Sequence, residues 1–229
     1  MPMSYQFPVS GLPSDARPYA LEGDARAAFL RKVYGTVLLG LVSTSAAALW
    51  SLQSGAYVYA IQHVWLTMGL YFGVFFGANA LRRRAGLNLV LLVAFTAVTG
   101  ALIIAPSALW AGPTATANAL LSTCVAFGGL TLYAVVSKRD FTFLRSFVFT
   151  GLLAVLAVGI GNMIFFHSSA VVGALSAVEC FLFSAFILFD TSRLMRTQSL
   201  SDPIGFALAI YLDVVNLFLA ILNLFGRRR

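Results

Sequence analysis

Apolar stretches of about 20 residues fill most of this chain, and the links between them are too short to form independent structure. About 20 such residues cross the hydrocarbon core of a bilayer as one helix, so the pattern predicts an all-helical protein that crosses a membrane several times. Charged residues make up only 10% of the chain, against about 25% in soluble domains. This composition argues against a soluble globular fold.

Seven of these apolar segments are long enough to be membrane spans. They cover residues 33–50, 64–81, 87–105, 114–136, 147–166, 169–189 and 204–225. We therefore predict a cytoplasmic N-terminal tail at residues 1–30 and a single domain of seven transmembrane helices at residues 31–229. The tail is polar and lacks the apolar stretch of a signal peptide.

The basic residues alternate between the links. Lys and Arg precede the first segment and follow the second, fourth and sixth, while the links after the first, third and fifth contain none. Cytoplasmic links carry the excess of Lys and Arg, so the N-terminus is predicted to be cytoplasmic. The net charge of +7 thus reflects membrane topology and not a nucleic-acid partner. Seven crossings would place the basic residues 227–229 on the outer side of the membrane. The alternative is that the last segment re-enters and returns to the cytoplasm. The length of residues 204–225 favours crossing.

The last two segments each contain an aspartate, Asp190 and Asp213. A carboxylate inside a bilayer costs a few kcal/mol, so both are candidate functional residues. Helical rise places them about 9 Å and 15 Å from the cytoplasmic ends of their helices, and helices joined by a short link are normally neighbours. Two carboxyl groups that meet in a low-dielectric site would share a proton. After losing it they could attract a basic side chain or Ca²⁺.

Simpler roles remain open for both aspartates. Asp190 could pair with Arg193 on its own helix, and Asp213 could bond a backbone group or Asn216. Glu179 precedes Asp190 on the same predicted face by about 16 Å, where it could line a pore or bond a neighbouring helix.

Other polar and small residues of the spans have structural or gating interpretations. Arg82 ends the second segment and could either extend to the membrane surface or reach the acid pair. Asn162 and Asn216 are predicted to form hydrogen bonds between helices, and Gly73 with Gly77 predicts close helix packing. The sequence contains no catalytic motif, so neither enzymatic activity nor a cofactor is expected.

Four stretches carry a resemblance to a known family. They are ILFDTSRLM around Asp190, IYLDVVNLF around Asp213, SKRDFTFLRSF between the fourth and fifth segments, and VGIGNMIF around Asn162. With these motifs the chain resembles the bacterial branch of the Bax inhibitor-1 family. The resemblance implies seven helices, the last one central and wrapped by helices 1–3 and 4–6, in the bacterial inner membrane.

The same resemblance implies a function. It suggests a pH-sensitive Ca²⁺ leak in which Asp190 and Asp213 sense protons and bind the ion, while Arg82 closes the pore by pairing with Asp190. One departure is Tyr71, which stands where the calcium-leaking relative carries a glutamate. An alternative role, ascribed to another bacterial relative, is modulation of a membrane-anchored AAA protease through the N-terminal tail. The intact acid pair favours ion handling.

Overall fold

The computed structural model describes residues 16–82, 84, 86–137 and 139–226, with side chains from residue 23 onward. Every regular element in these ranges is helical, which confirms the predicted all-helical class. The α-helices are α1 (Ala16–Ser54), α2 (Ala56–Gln62), α3 (Val64–Ala80), α4 (Leu87–Thr99), α5 (Ala105–Ala111), α6 (Pro113–Ser137), α7 (Arg145–Gly161), α8 (Ser169–Arg196) and α9 (Pro203–Gly226). The π-helical turns Gly100–Ile104 and Asn162–Phe166 continue α4 and α7, and a 3-10 turn, Thr142–Leu144, precedes α7.

Six helical stretches of the described chain are long and apolar enough to cross a membrane. They are Gly23–Ser54, Leu87–Ala111, Pro113–Ser137, Thr142–Phe166, Ser169–Arg196 and Pro203–Gly226. The second predicted segment differs, because α2 and α3 meet at a bend of 105°. At about 1.5 Å per residue, α3 alone is shorter than the roughly 30 Å hydrocarbon core. The pair therefore forms either a broken span or a re-entrant loop, and the described chain has six or seven candidate spans.

The first helix begins well before its predicted membrane boundary. It starts at Ala16, inside the segment assigned to the cytoplasmic tail. Ala, Leu and Arg, which favour helix, are frequent between this start and the membrane. Phe29 is buried there, with its ring edge against Phe206 of α9 at a centroid distance of 6.0 Å. The end of the predicted tail is thus packed on the bundle, while residues 1–15 and 227–229 lie outside the described residues.

Helix α9 is the most buried of the candidate spans. It lies against α1, α4, α5, α6 and α8. About two-thirds of its apolar window is buried, against 33% or less in the five others. Its apolar residues surround the helix, as expected for a helix enclosed by others. Asp213, near the middle of α9, is only 6% exposed and is therefore enclosed by protein.

Among the described glycines, Gly100 has the closest backbone neighbour, and it joins α1 to the π-helical turn after α4. A Cβ atom placed on Gly100 would lie 2.1 Å from the carbonyl oxygen of Thr44. The Thr44 hydroxyl lies 3.0 Å from the Thr96 carbonyl oxygen and 2.6 Å from the Tyr211 hydroxyl. Helices α1, α4 and α9 thus meet in a polar contact deep in the bundle.

The packing role predicted for Gly73 and Gly77 is wrong. A Cβ on either residue would meet nothing within 4 Å, so this face of α3 packs against no described element. Close approach occurs at Gly100, as above, and at Gly151, where a Cβ would lie 2.7 Å from a Leu182 methyl carbon. A pair of glycines at helical spacing makes a smooth surface, but the tertiary arrangement decides whether a partner uses it.

Replacing Gly100 with alanine should destabilise the protein. The new methyl group would collide with the α1 backbone, which cannot rotate away, and such overpacking costs about 1–3 kcal/mol or more. Gly77→Ala is the matched control, since it adds a methyl group in open space and raises helix propensity. Thermal unfolding of the detergent-solubilised protein should show a lower Tm for G100A and no decrease for G77A. Equal Tm values for G100A and the parent protein would contradict this contact.

Candidate functional site

Asp190 and Asp213 face each other between α8 and α9. Both side chains are buried, and their carboxyl groups lie in side-chain hydrogen-bonding range of each other. The Oδ2 atom of Asp213 is buried and has no hydrogen-bond partner among the described residues. Helix α8 continues to Arg196 and α9 starts at Pro203, so a short link holds the helices side by side. The structure thus brings the two predicted residues together.

Arg193 partners only one of the two acids directly. Its Nη1 atom lies 3.1 Å from Asp190 Oδ1, and the side chains are 49% and 7% exposed, respectively. Its guanidinium group also lies over the Phe206 ring, 4.9 Å from the ring centroid. Asp190 therefore forms the pair with Arg193 that their three-residue spacing allows, and it also contacts Asp213. Asp213 forms no salt bridge with any described residue.

This asymmetry assigns different chemistry to the two carboxyl groups. An ionised Asp190 is compensated by Arg193, whereas a charge on Asp213 would be buried beside a like charge. A protonated Asp213 can instead donate a hydrogen bond to Asp190, since only a neutral carboxyl group carries a donor. The arrangement can therefore hold one proton between two acids and release it when the surroundings change.

A hydroxyl pair beside the acids was not anticipated from the sequence. Thr191 follows Asp190 on α8 and is fully buried, and its hydroxyl lies near that of Tyr34 on α1. Thr191 could have been found, because it belongs to the FDT motif. Tyr34 lies in a helix distant in sequence, and no local pattern connects it with this site.

Arg82 occupies a different position from the predicted one. Its Nε atom lies 3.1 Å from Asp202 Oδ2, and Nη1 donates to Asn79 at 3.0 Å. The expected ion pair between Arg82 and Asp190 is therefore absent from the described contacts, because Asp190 pairs with Arg193 and Arg82 pairs with Asp202. Asp202 is 19% exposed in the link before α9, so an ion pair there loses less hydration than one beside Asp190.

Asp202 has two functions at the start of α9. Its Oδ1 atom accepts a hydrogen bond from the Gly205 backbone N–H at 2.9 Å, while Oδ2 binds Arg82. It therefore caps the helix and also fastens α9 to the end of α3. Asp202 is the sole acid between Arg196 and Asp213, a signal that could have identified it as the arginine's partner.

Two of the remaining predicted residues, Glu179 and Asn162, lie apart from the acid pair. Glu179 is partly buried on α8 and lies about 16 Å from Asp190 along the helix. Asn162 is buried, and its side chain donates to the Ser168 carbonyl oxygen at 3.3 Å and accepts from the Ser168 N–H at 3.0 Å. It thus joins the beginning of the π-helical turn after α7 to the start of α8. Asn216 is partly buried on α9.

Tyr71 stands where the calcium-leaking relative carries a glutamate. It contributes a hydroxyl group to the side of α9 that faces away from the acid pair. It packs against Phe95 at a centroid distance of 5.3 Å and lies beside the Thr99 hydroxyl. Thr99 in turn neighbours Tyr211, which contacts Thr44. The position thus belongs to a neutral hydroxyl cluster that joins α1, α3, α4 and α9.

No cluster of three or more His, Cys, Asp or Glu side chains occurs among the described residues. The two aspartates supply carboxylate oxygens, the ligand type that Ca²⁺ prefers. Bound Ca²⁺ usually takes about six to eight oxygens, so the pair alone does not make a closed ion cage.

These features define a multi-pass helical membrane protein with an acid pair buried between consecutive spans. Residues 26–229 match the family described as inhibitor of apoptosis-promoting Bax1. The chain therefore belongs to the Bax inhibitor-1 family, as its motifs indicate.

Relatives of the chain occur in bacteria, a mammal and a virus. An uncharacterized protein of Campylobacter jejuni is 36% identical over 86% of this chain and 87% of its own length. Protein lifeguard 4 of Mus musculus is 33% identical over 86% of this chain and 84% of its own. A Golgi anti-apoptotic protein of vaccinia virus is 32% identical over 87% and 85%, respectively. In each case the similarity covers most of both chains.

A double-mutant cycle can identify the acid with which Arg82 interacts. Combining Arg82→Gln with Asp202→Asn should give a coupling energy of up to about 1 kcal/mol, the usual range for a partly exposed pair. The cycle of Arg82→Gln with Asp190→Asn should give a value near zero, because Asp190 has its own arginine. Chemical unfolding in mild detergent measures both. A larger coupling with Asp190 would show that Arg82 pairs with the buried acids instead.

Proposed function

We propose that the protein is a pH-sensitive leak channel for cations, with Ca²⁺ as the transported ion, gated by Asp190 and Asp213. The observation that carries this proposal is the buried contact between the two carboxyl groups, of which Asp190 alone has a salt bridge among the described residues. A chain that only needed to fold would lose little by replacing such a pair with apolar residues. Keeping both acids in mid-bundle therefore favours a function in proton and cation handling.

Proton loss changes the force between the two helices. While the pair holds one proton, a hydrogen bond can join α8 to α9. After deprotonation two like charges face each other, with a repulsion of about 4 kcal/mol at 4 Å for an effective dielectric constant near 20, which the attraction of Arg193 for Asp190 offsets in part. That energy is large enough to shift a conformational equilibrium or to recruit a cation. Acidity is thereby coupled to the packing of the most buried helix.

The basic links also support a common cytoplasmic mouth. The Arg82–Asp202 pair places the end of α3 beside the start of α9, and the Arg196–Asp140 pair, at 3.6 Å, places the link after α6 beside the end of α8. These contacts bring three basic links to one end of the bundle, as expected for a cytoplasmic side. We accordingly propose seven crossings, with α2 and α3 as one broken span, α9 central and the N-terminus cytoplasmic.

Arg82 is proposed to act at this mouth through Asp202. The pair holds the first turn of α9, the helix that carries Asp213. A latch at this point would restrain movement of α9 without direct contact between Arg82 and the acid pair. Arg193, which contacts Asp190, is the basic residue that senses the charge of the pair itself.

The test is Ca²⁺ flux into liposomes that contain the purified full-length protein and an enclosed calcium dye, measured between pH 5 and 8. The parent protein should conduct Ca²⁺ at rates that depend on pH. Asp213→Asn should conduct with little pH dependence, because the amide keeps the shape and can donate a hydrogen bond but cannot titrate. Asp24→Asn is the matched control, since Asp24 is exposed on α1 and should leave the pH profile unchanged.

Two results would contradict the proposal. Flux equal to that of protein-free liposomes would show that the chain is not a leak channel for Ca²⁺. A pH profile shared by the parent protein and D213N would show that a different group senses protons. Size-exclusion profiles and Tm values of both variants establish that they are folded before the rates are compared.

A further inference from the structure

A second polar site lies outside the acid pair, at the end of the bundle where α6 and α8 meet. It is a cavity of about 430 Å³. Its lining combines apolar and basic side chains: Ala134, Val135, Arg139, Ser192, Met195 and Arg196. The membrane-facing part of the wall is apolar and the link side carries two arginines. This division of polarity is typical of a site for an amphiphile.

The basic part of the cavity is held in place by hydrogen bonds. The Ser192 hydroxyl accepts from the Phe141 N–H at 3.1 Å and lies 3.5 Å from the Arg139 carbonyl oxygen. Phe141 is buried against the bundle. The link that bears Arg139 is therefore fixed to α8, and the backbone of this arginine has a defined position at the cavity.

One carboxylate competes for the positive charge. Asp140 Oδ1 lies 3.6 Å from Arg196 Nε and also accepts hydrogen bonds from the backbone N–H and hydroxyl of Thr142 at 2.9 Å and 2.7 Å. These hydrogen bonds lower the pKa of Asp140, so it is ionised at neutral pH. Among the described side chains at the cavity, two arginines stand against one aspartate, so these side chains together carry a net positive charge.

The cavity lies at the boundary between hydrocarbon and water. Helix α6 ends at Ser137, and Val136 is 68% exposed on its last turn. Arg139, two residues beyond the end of α6, is exposed too. The exposed surface changes from apolar residues to arginine within one turn. Such a change is typical of the depth at which lipid phosphate groups lie.

We propose that this cavity binds an anionic phospholipid, with Arg139 and Arg196 holding its phosphate group and Ala134, Val135 and Met195 contacting its acyl chains. Guanidinium groups suit phosphate because they can donate two parallel hydrogen bonds. Basic pockets between spans on the cytoplasmic side are known sites for lipid headgroups. The net positive charge favours a lipid of net negative charge over a zwitterionic one. This site is independent of the leak function proposed above.

The test is lipid binding to the full-length protein in neutral detergent, followed by native mass spectrometry during titration with phosphatidylglycerol. Each arginine near a lipid surface contributes about 1 kcal/mol, which corresponds to roughly fivefold in affinity. The double variant Arg139→Gln with Arg196→Gln should therefore bind phosphatidylglycerol roughly 30-fold more weakly. Arg139→Lys with Arg196→Lys keeps the charge and should lose much less. Arg145→Gln is the matched control, because it removes an exposed arginine that follows the same link but does not line the cavity.

Further arms separate the possible ligands. Phosphatidylcholine with the same acyl chains should bind more weakly than phosphatidylglycerol and should respond little to the glutamine variants. Inorganic phosphate should compete poorly, because it cannot use the apolar wall. Asp140→Asn should bind phosphatidylglycerol more tightly, as it removes the competing charge and keeps an acceptor for Thr142.

Several outcomes would overturn the proposal. Equal affinity of the glutamine double variant and the parent protein would show that the arginines do not bind the lipid. A loss of the same size in R145Q would show a general surface effect. Competition by millimolar phosphate as strong as by the lipid would identify a soluble anion as the ligand. If the glutamine double variant unfolds, the proposal is tested by Asp140→Asn alone. Unchanged or weaker binding of phosphatidylglycerol to D140N would then refute the electrostatic role of this site.

Discussion

The burial of Asp213 is the constraint on which the rest of this structure depends. A carboxyl group in mid-bundle must be shielded from lipid, and α9 meets this requirement because five other helices surround it. Its partner is a second carboxyl group and not a base, since the nearby Arg193 pairs with Asp190. Under the proposed function, loss of the proton that the pair shares would weaken the packing of α8 against α9.

Polar contacts occur on two sides of α9 at similar depth. On one side Asp213 meets Asp190 of α8, and on the other Tyr211 meets Thr44 of α1. The first contact contains titratable acids, and the second consists of hydroxyl groups that stay neutral at physiological pH. Movement of α9 in response to proton loss would therefore be resisted by a contact whose own strength is independent of pH. The Asp202 cap adds a second fixed point at the start of the helix.

The acid pair could be predicted from the sequence because two simple quantities determine it. Helical rise sets the depth of each aspartate, and a short link forces consecutive helices together. The partner of Arg82 could not be predicted in the same way. Asp190 and Asp202 are both candidates at that end of the bundle, and the choice depends on hydration. Asp202 keeps part of its exposure, whereas Asp190 is buried and already compensated.

Local patterns also failed where the answer depended on a distant partner. Gly73 and Gly77 have the spacing of a packing motif but no neighbour, while Gly100, without such a motif, lies against the backbone of α1. Hydropathy located the second apolar segment but could not reveal the 105° bend between α2 and α3, because average hydropathy is insensitive to chain direction.

The sequence by itself determined the helical membrane class, the ends of most apolar helices and the positions of the two acids along their helices. Each of these follows from the length and polarity of a continuous segment, because lipid requires every spanning segment to satisfy its own backbone hydrogen bonds. The tertiary structure decided which arginine pairs with which acid, which glycine permits close packing and which links form the arginine-lined cavity. Those outcomes depend on contacts between residues far apart in the chain, where desolvation and steric fit, and not local pattern, select the partner.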